Sequence, residues 1–282
     1  MHLSLLRASM NLSLQGARMS LFSRIKSALS AHFPRRYPWP GLDIVLPGGQ
    51  HLHLVGSIHM GTQDMSPLPA GLIRLVQKAD ALIVEADISG NDSPFADLAI
   101  PPPLAERLSP EQLTELERLA SELSLPLSML ETQPLWQIAM VLQATQAQRL
   151  GLRGDYGIDY QLLHLARERA IPVIELEGAD SQIALLRQLP NDGILLLEDT
   201  LTHWHTNARL LQTMISWWLD APPAASLQAL PATFSESLYD VLMHARNQAW
   251  CEKLHALPPG RYVVAVGALH LYGEGNLPAL LR

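Results

Sequence analysis

Cysteine is nearly missing from this chain: Cys251 stands alone among 282 residues. No internal disulfide can form, and such usage suits a reducing compartment. Long apolar runs are missing as well. No stretch approaches the ~18 residues of a membrane-spanning helix, so the body reads as a soluble protein placed in the cytoplasm. A basic face is lacking over most of the length. Residues 1–36 hold six Lys or Arg and no acid, which leaves the remainder at −13 although the whole chain carries −7. That acidity argues against a nucleic-acid partner, because binding phosphate needs a basic surface. Several catalytic signatures are also absent: a Walker loop, a G-x-S-x-G elbow, H-E-x-x-H and paired C-x-x-C. No solenoid-type repeat is present.

What the chain does have is a pair of Gly-x-x-His tetrapeptides, each where an apolar strand should end. Gly56-Ser57-Ile58-His59 follows HLHLV, and Gly267-Ala268-Leu269-His270 follows YVVAV. A third, Gly48 to His51, falls in a turn and carries little. Glycine at a strand end lets the chain turn sharply or lets a ligand come close. Two further predicted strands end in acids: Glu85 and Asp87 close ALIVEAD, and Glu175 and Glu177 close PVIELE. In open α/β sheets the ligand crevice lies beyond the carboxyl ends of the strands. Two imidazoles and one or two carboxylates gathered there suit either a divalent metal or an acid/base pair. His59, Glu85 and His270 are the candidate metal ligands, with Gly56, Asp87, Glu177 and Gly267 in supporting positions. Arg246 lies on a helix leading directly into the last strand, where it could clamp a carboxylate or steady an oxyanion.

The order of elements supports a single α/β domain over 39–282 behind a basic leader, 1–38. DIVL, the turn at Pro47 and HLHLV read as a β-hairpin; PLPAGLIRLVQKAD reads as a helix and ALIVEAD as a strand. A loop over 90–104 leads to a helical insertion over about 100–150, in which LWQIAMVLQATQAQRL has the spacing of a buried helix. IDYQLLHLARERA and PVIELE form a further α-β unit. Long helices are expected over 181–219 and 234–257, joined by a Pro/Ala-rich linker at 221–232, before RYVVAVG supplies the final strand. Short strands alternating with helices predict a mixed, largely parallel sheet covered by helices. His51 and His53 are expected on an exposed strand face, His203 and His205 on a helix surface, and Cys251 in packing. In the leader, LFSRIKSALSAHF could form a basic amphipathic helix touching anionic lipid, and Met10 and Met19 offer later starts of translation.

Taken as an ordered set, GSIHMGTQDMSPLP (56–69), VEAD (84–87), GIDYQLL (157–163), ELEGADSQ (175–182), ARNQAW (245–250) and VGALHLYGEGNLPALL (266–281) resemble the TraB/GumN superfamily, which includes the Tiki metalloproteases. The resemblance covers about Trp39 to Arg282. It implies a fold like that of erythromycin esterase and the ChaN-type haem-binding proteins. It also implies an active centre of His59, Glu85, Arg246 and His270, and a divalent metal such as Mn2+ or Co2+. Tiki members act as proteases, and TraB-like bacterial members are linked to limiting peptide pheromone activity. The chain shows no clear signal peptide, membrane anchor or disulfide pairs of the kind expected in secreted Tiki proteins, so an extracellular signalling substrate is not carried over. The expectation is a metal-dependent, peptidase-like hydrolase acting on a peptide or small molecule. A metal-independent histidine-based esterase and a non-catalytic binding protein are the alternatives, and the oligomeric state stays open.

Overall fold

The computed structural model describes residues 36–87, 101–223 and 230–282. Residues 1–35 of the basic leader, most of the 90–104 loop and part of the 221–232 linker lie outside the described residues. Contacts divide the chain into residues 1–37 and 38–282; the second unit is described here.

Among the described residues its frame is one sheet of five strands in the order β1-β2-β5-β3-β4. β1 (Gly41–Val45) and β2 (Gln50–Ser57) form the expected antiparallel hairpin. β3 (Ala81–Val84), β4 (Val173–Glu175) and β5 (Gly260–Gly267) all run parallel to β2. The sheet is therefore mixed and largely parallel, as the alternation of strands and helices predicts. Register fixes which residues meet at the carboxyl edge. Ser57 stands opposite Gly267, while Val84 stands opposite both Ala265 and Glu175. β3 reads ALIV and is buried throughout, as a central parallel strand must be. β4 is shorter than PVIELE suggested and only half-covered, because it is an edge strand.

Among the described residues the longer helices are α1 (Ala70–Gln77), α2 (Pro110–Leu123), α3 (Leu135–Arg149), α4 (Ile158–Glu168), α5 (Ala179–Arg187), α6 (Pro190–Thr202), α7 (Trp204–Leu219) and α8 (Ala245–His255). α2 starts on a capping box in which Ser109 and Gln112 bond each other's backbone N–H. The span expected as one helix over 181–219 is three. Pro190 and the left-handed residues Asn191, Asp192 and Gly193 interrupt it, and His203 breaks it again. Between Asp240 and His244 the backbone widens into a π turn that runs directly into α8. Among the described residues no helix is long and apolar enough to cross a membrane.

Two apolar cores follow from this layout. The first joins Leu52, Leu54, Ile83, Val264 and Val266 of the sheet to Trp250 and Leu254 of α8. The second joins Leu116, Leu119, Trp136, Ile138 and Leu142 of the helical insertion to Leu196, Leu197 and Trp204 of α6 and α7. The insertion is thus held by helices that follow it by some fifty residues in sequence.

One expectation from strand alternation fails. His51 is exposed, but His53 is buried at 5 % exposure. The Trp39 indole covers that face and donates to His53 Nε2 at 3.1 Å, and His53 Nδ1 meets Asp43 Oδ1 at 2.8 Å. With partners on both ring nitrogens, the imidazole is accommodated inside. Cys251 lies on α8, packed against the first core.

Candidate active site

Three parallel strands that are neighbours in the sheet deliver the expected residues to one edge. His59 follows β2 by two residues, Glu85 directly follows β3, and His270 closes the turn after β5. Arg246, in the first turn of α8, reaches them from the helical side.

The guanidinium organises the centre. Arg246 Nη2 donates to Glu85 Oε2 at 2.6 Å and to Glu177 Oε2 at 3.0 Å, and Nε donates to Glu177 Oε1 at 2.8 Å. Nη1 donates to the Leu242 carbonyl at 3.2 Å and lies 3.4 Å from His270 Nε2. These contacts engage all five N–H groups of an arginine, leaving none for an oxyanion in this arrangement. What Arg246 does here is hold Glu85, Glu177 and His270 in place. Its Cζ also stacks 4.6 Å from the Trp250 ring centroid.

Glu85 is as fully engaged. Its Oε1 accepts the Gly267 backbone N–H at 2.6 Å, and its Oε2 also accepts from Gln182 Nε2 at 3.2 Å. Gly267 permits this approach, since a Cβ at that position would stand 3.3 Å from Glu85 Oε1. Burial by itself would raise the Glu85 pKa, but the charges of Arg246, His270 and His59, with the Gly267 N–H, hold it below the ordinary carboxylate value. Glu177 Oε1 accepts a further bond, from Trp250 Nε1 at 2.9 Å.

The two histidines stand in opposite environments. His270 is 4 % exposed, and burial lowers its pKa to about 4. Asn247 donates from Nδ2 to the Gly275 carbonyl, so its Oδ1 accepts from His270 Nδ1 at 2.7 Å. That bond fixes the tautomer, with the Nε2 lone pair turned toward Arg246. His59 instead has 65 % of its side chain open to solvent, and its Nδ1 is held by Asp159 Oδ2. The Asp159 carboxylate raises its pKa to about 9. Solvent around so exposed a ring screens the pair, and the direction of that shift is what matters: His59 is readily protonated and His270 is not. A pair of titratable groups pushed apart in this way is a mark of acid/base sites.

Asp159 was not among the residues singled out by sequence spacing, although GIDYQLL contains it. It reaches His59 because the start of α4 packs against the first Gly-x-x-His turn. Ile158 N–H donates to the Ile58 carbonyl at 2.9 Å, and at Gly157 a Cβ would come within 2.2 Å of the His59 carbonyl oxygen. Only glycine lets the two segments approach this closely. Ser57, His59, Glu85, Asp159 and Gln182 line one small recess at this edge.

Not every expected residue joins the centre. Asp87 faces outward, where Arg167 Nη2 holds its carboxylate at 2.8 Å, and Gly56 contributes a carbonyl that accepts from Trp218 Nε1 at 3.1 Å. Asn247, Trp250 and Gln182, which spacing did not single out, do belong to it.

The donor set does not fit a divalent ion shared by His59, Glu85 and His270. Both Glu85 oxygens and the His270 nitrogens already face hydrogen-bonding partners, and the Arg246 cation stands between those two residues. Among the described residues no group of three His, Cys, Asp or Glu side chains is arranged to hold a metal.

The family model of the TraB/PrgY/gumN family matches residues 44–282. The chain is 63 % identical to the YbaP protein of Escherichia coli K12 over 264 residues, 94 % of this chain and all of that protein, and equally so to YbaP of Shigella flexneri. No solved structure matches. The chain belongs to the TraB/PrgY/gumN family.

Proposed function

We propose that the chain is a hydrolase of amide or ester bonds, peptide bonds among them, with its centre at the recess beside His59. The observation that supports this is the His59–Asp159 pair, in which Nδ1 of a solvent-accessible ring is held by the carboxylate, in a recess shared with Glu85 and Gln182. A carboxylate on Nδ1 favours the imidazolium, so His59 suits the delivery of a proton to the leaving nitrogen or oxygen. The neutral Gln182 amide on the recess wall is the donor available to a developing oxyanion. Glu85, Arg246, Glu177 and His270 form a hydrogen-bonded frame that keeps the edge rigid without taking part in proton transfer. The lone Cys251 supports a reducing compartment such as the cytoplasm.

A library of peptides and chromogenic esters, tested on chelator-treated protein, examines this directly. Turnover that falls about 100-fold or more in His59→Gln, with the fold intact by circular dichroism, is the expected result. An unaltered ligand recovered after long incubation would instead make the chain a binding protein. Activity lost on chelation and restored by Mn2+ or Co2+, with near-equal bound metal by elemental analysis, would favour the metal-dependent form, in which Arg246 has to release Glu85 and His270.

A further inference from the structure

We propose that Asp159 binds the attacking water in the recess through Oδ1 and accepts its proton, so that one His–Asp pair performs both proton transfers. This rests on the hydrolase reading above. Asp159 is 6 % exposed, and its two oxygens have different fates. Oδ2 holds His59, whereas Oδ1 is buried with no protein hydrogen-bond partner among the described residues. A buried carboxylate oxygen requires a donor. Asp159 lines the recess together with Ser57, Glu85 and Gln182, enough polar groups to give one water the two to four partners it needs. Glu85 is the other acid on that wall, but Gly267, Arg246 and Gln182 already donate to it. The acceptor with lone pairs to spare is Asp159.

The step balances without any further reactant. The water oxygen bonds to the carbonyl carbon as one of its protons passes to Asp159 Oδ1. The tetrahedral species then expels its nitrogen or oxygen, which keeps the bonding pair and takes the Nε2 proton of His59. Asp159 afterwards loses its proton to solvent and His59 regains one.

Two measurements on the full chain test this. A high-resolution crystal structure should show a water within about 3.2 Å of Asp159 Oδ1. A dry recess, or a metal ion in that place, would overturn the assignment. In the second, Asp159→Ala should lose about 100-fold or more in kcat, with formate restoring at least tenfold. Failure of formate to rescue a folded variant would refute the base role, and Asp159→Asn, nearly identical in shape, should lose similar activity without rescue. An ordered water in a chain that turns over no substrate would remove the hydrolase reading and leave the water site standing. Turnover with a dry recess would do the reverse.

Discussion

Replacing Arg246 by Met keeps most of the side chain's length and removes its charge. In the wild-type chain the Arg246, Glu85 and Glu177 side chains are 16 %, 11 % and 15 % exposed, so this is a triad with little solvent to fall back on. Deleting one partner of a buried pair costs about 3–5 kcal/mol, because the remaining charge is left uncompensated. Here two carboxylates lose their counter-ion, while each retains another donor: Gly267 and Gln182 for Glu85, Trp250 for Glu177. We therefore keep to the same range. At about 2–4 °C per kcal/mol for a domain of this size, Tm should fall by roughly 6–20 °C. The pH dependence has a definite sign. Glu85 is held below its ordinary value, so its contribution is full above the unfolded carboxylate pKa of about 4.3 and is lost as pH falls through the folded value. In the Met variant burial dominates and reverses that direction, so folded Glu85 takes up a proton more readily than unfolded. The stability gap from wild type should then narrow as pH falls from 7.5 to 5. Urea denaturation at both pH values measures it. A gap under about 1 kcal/mol at pH 7.5, or one that widens on acidification, would refute this account of the centre.

The His59 imidazole should titrate above its ordinary 6.5 in NMR spectra of the wild-type chain, and Asp159→Asn should bring it back toward 6.5. The stability from this pair is fully present below pH 6.5 and lost as pH rises through the raised folded value; an unshifted midpoint in the wild type would show that the two residues are not paired. His270 should stay neutral down to about pH 4, so its folded state is favoured above pH 6.5 and loses that advantage as pH falls toward 4; an ordinary midpoint would contradict its burial. Gly157→Ala should lower stability by about 1–3 kcal/mol and shift the His59 titration, because the new Cβ would lie 2.2 Å from the His59 carbonyl oxygen. A wild-type titration curve in that variant would mean that α4 does not position the pair.

The sheet could be read from the sequence because its signals are local. ALIV and YVVAV are apolar throughout, as parallel strands covered on both faces must be, and each Gly-x-x-His sits at a strand end. That His59, Glu85 and His270 would occupy one edge depended on strand order, which no local pattern encodes. The strand-end rule nevertheless pointed to that edge. The Asp159 contact was less visible, since it arises from α4 docking a hundred residues downstream, and its trace in the sequence is the glycine two positions earlier. The full occupation of the Arg246 donors was not visible either. An arginine on a helix gives no local sign of how many acceptors the fold will bring to it. His53 shows the converse limit, because alternation placed it outside until Trp39, fourteen residues away, closed over it.

The most direct test is the rate of hydrolysis of the best substrate from the peptide and ester library, compared between wild type and His59→Gln after exhaustive chelation. The account predicts measurable wild-type turnover and a loss of about 100-fold or more in kcat for the variant. Equal rates in the two proteins, or no turnover of any substrate by the wild type, would contradict it.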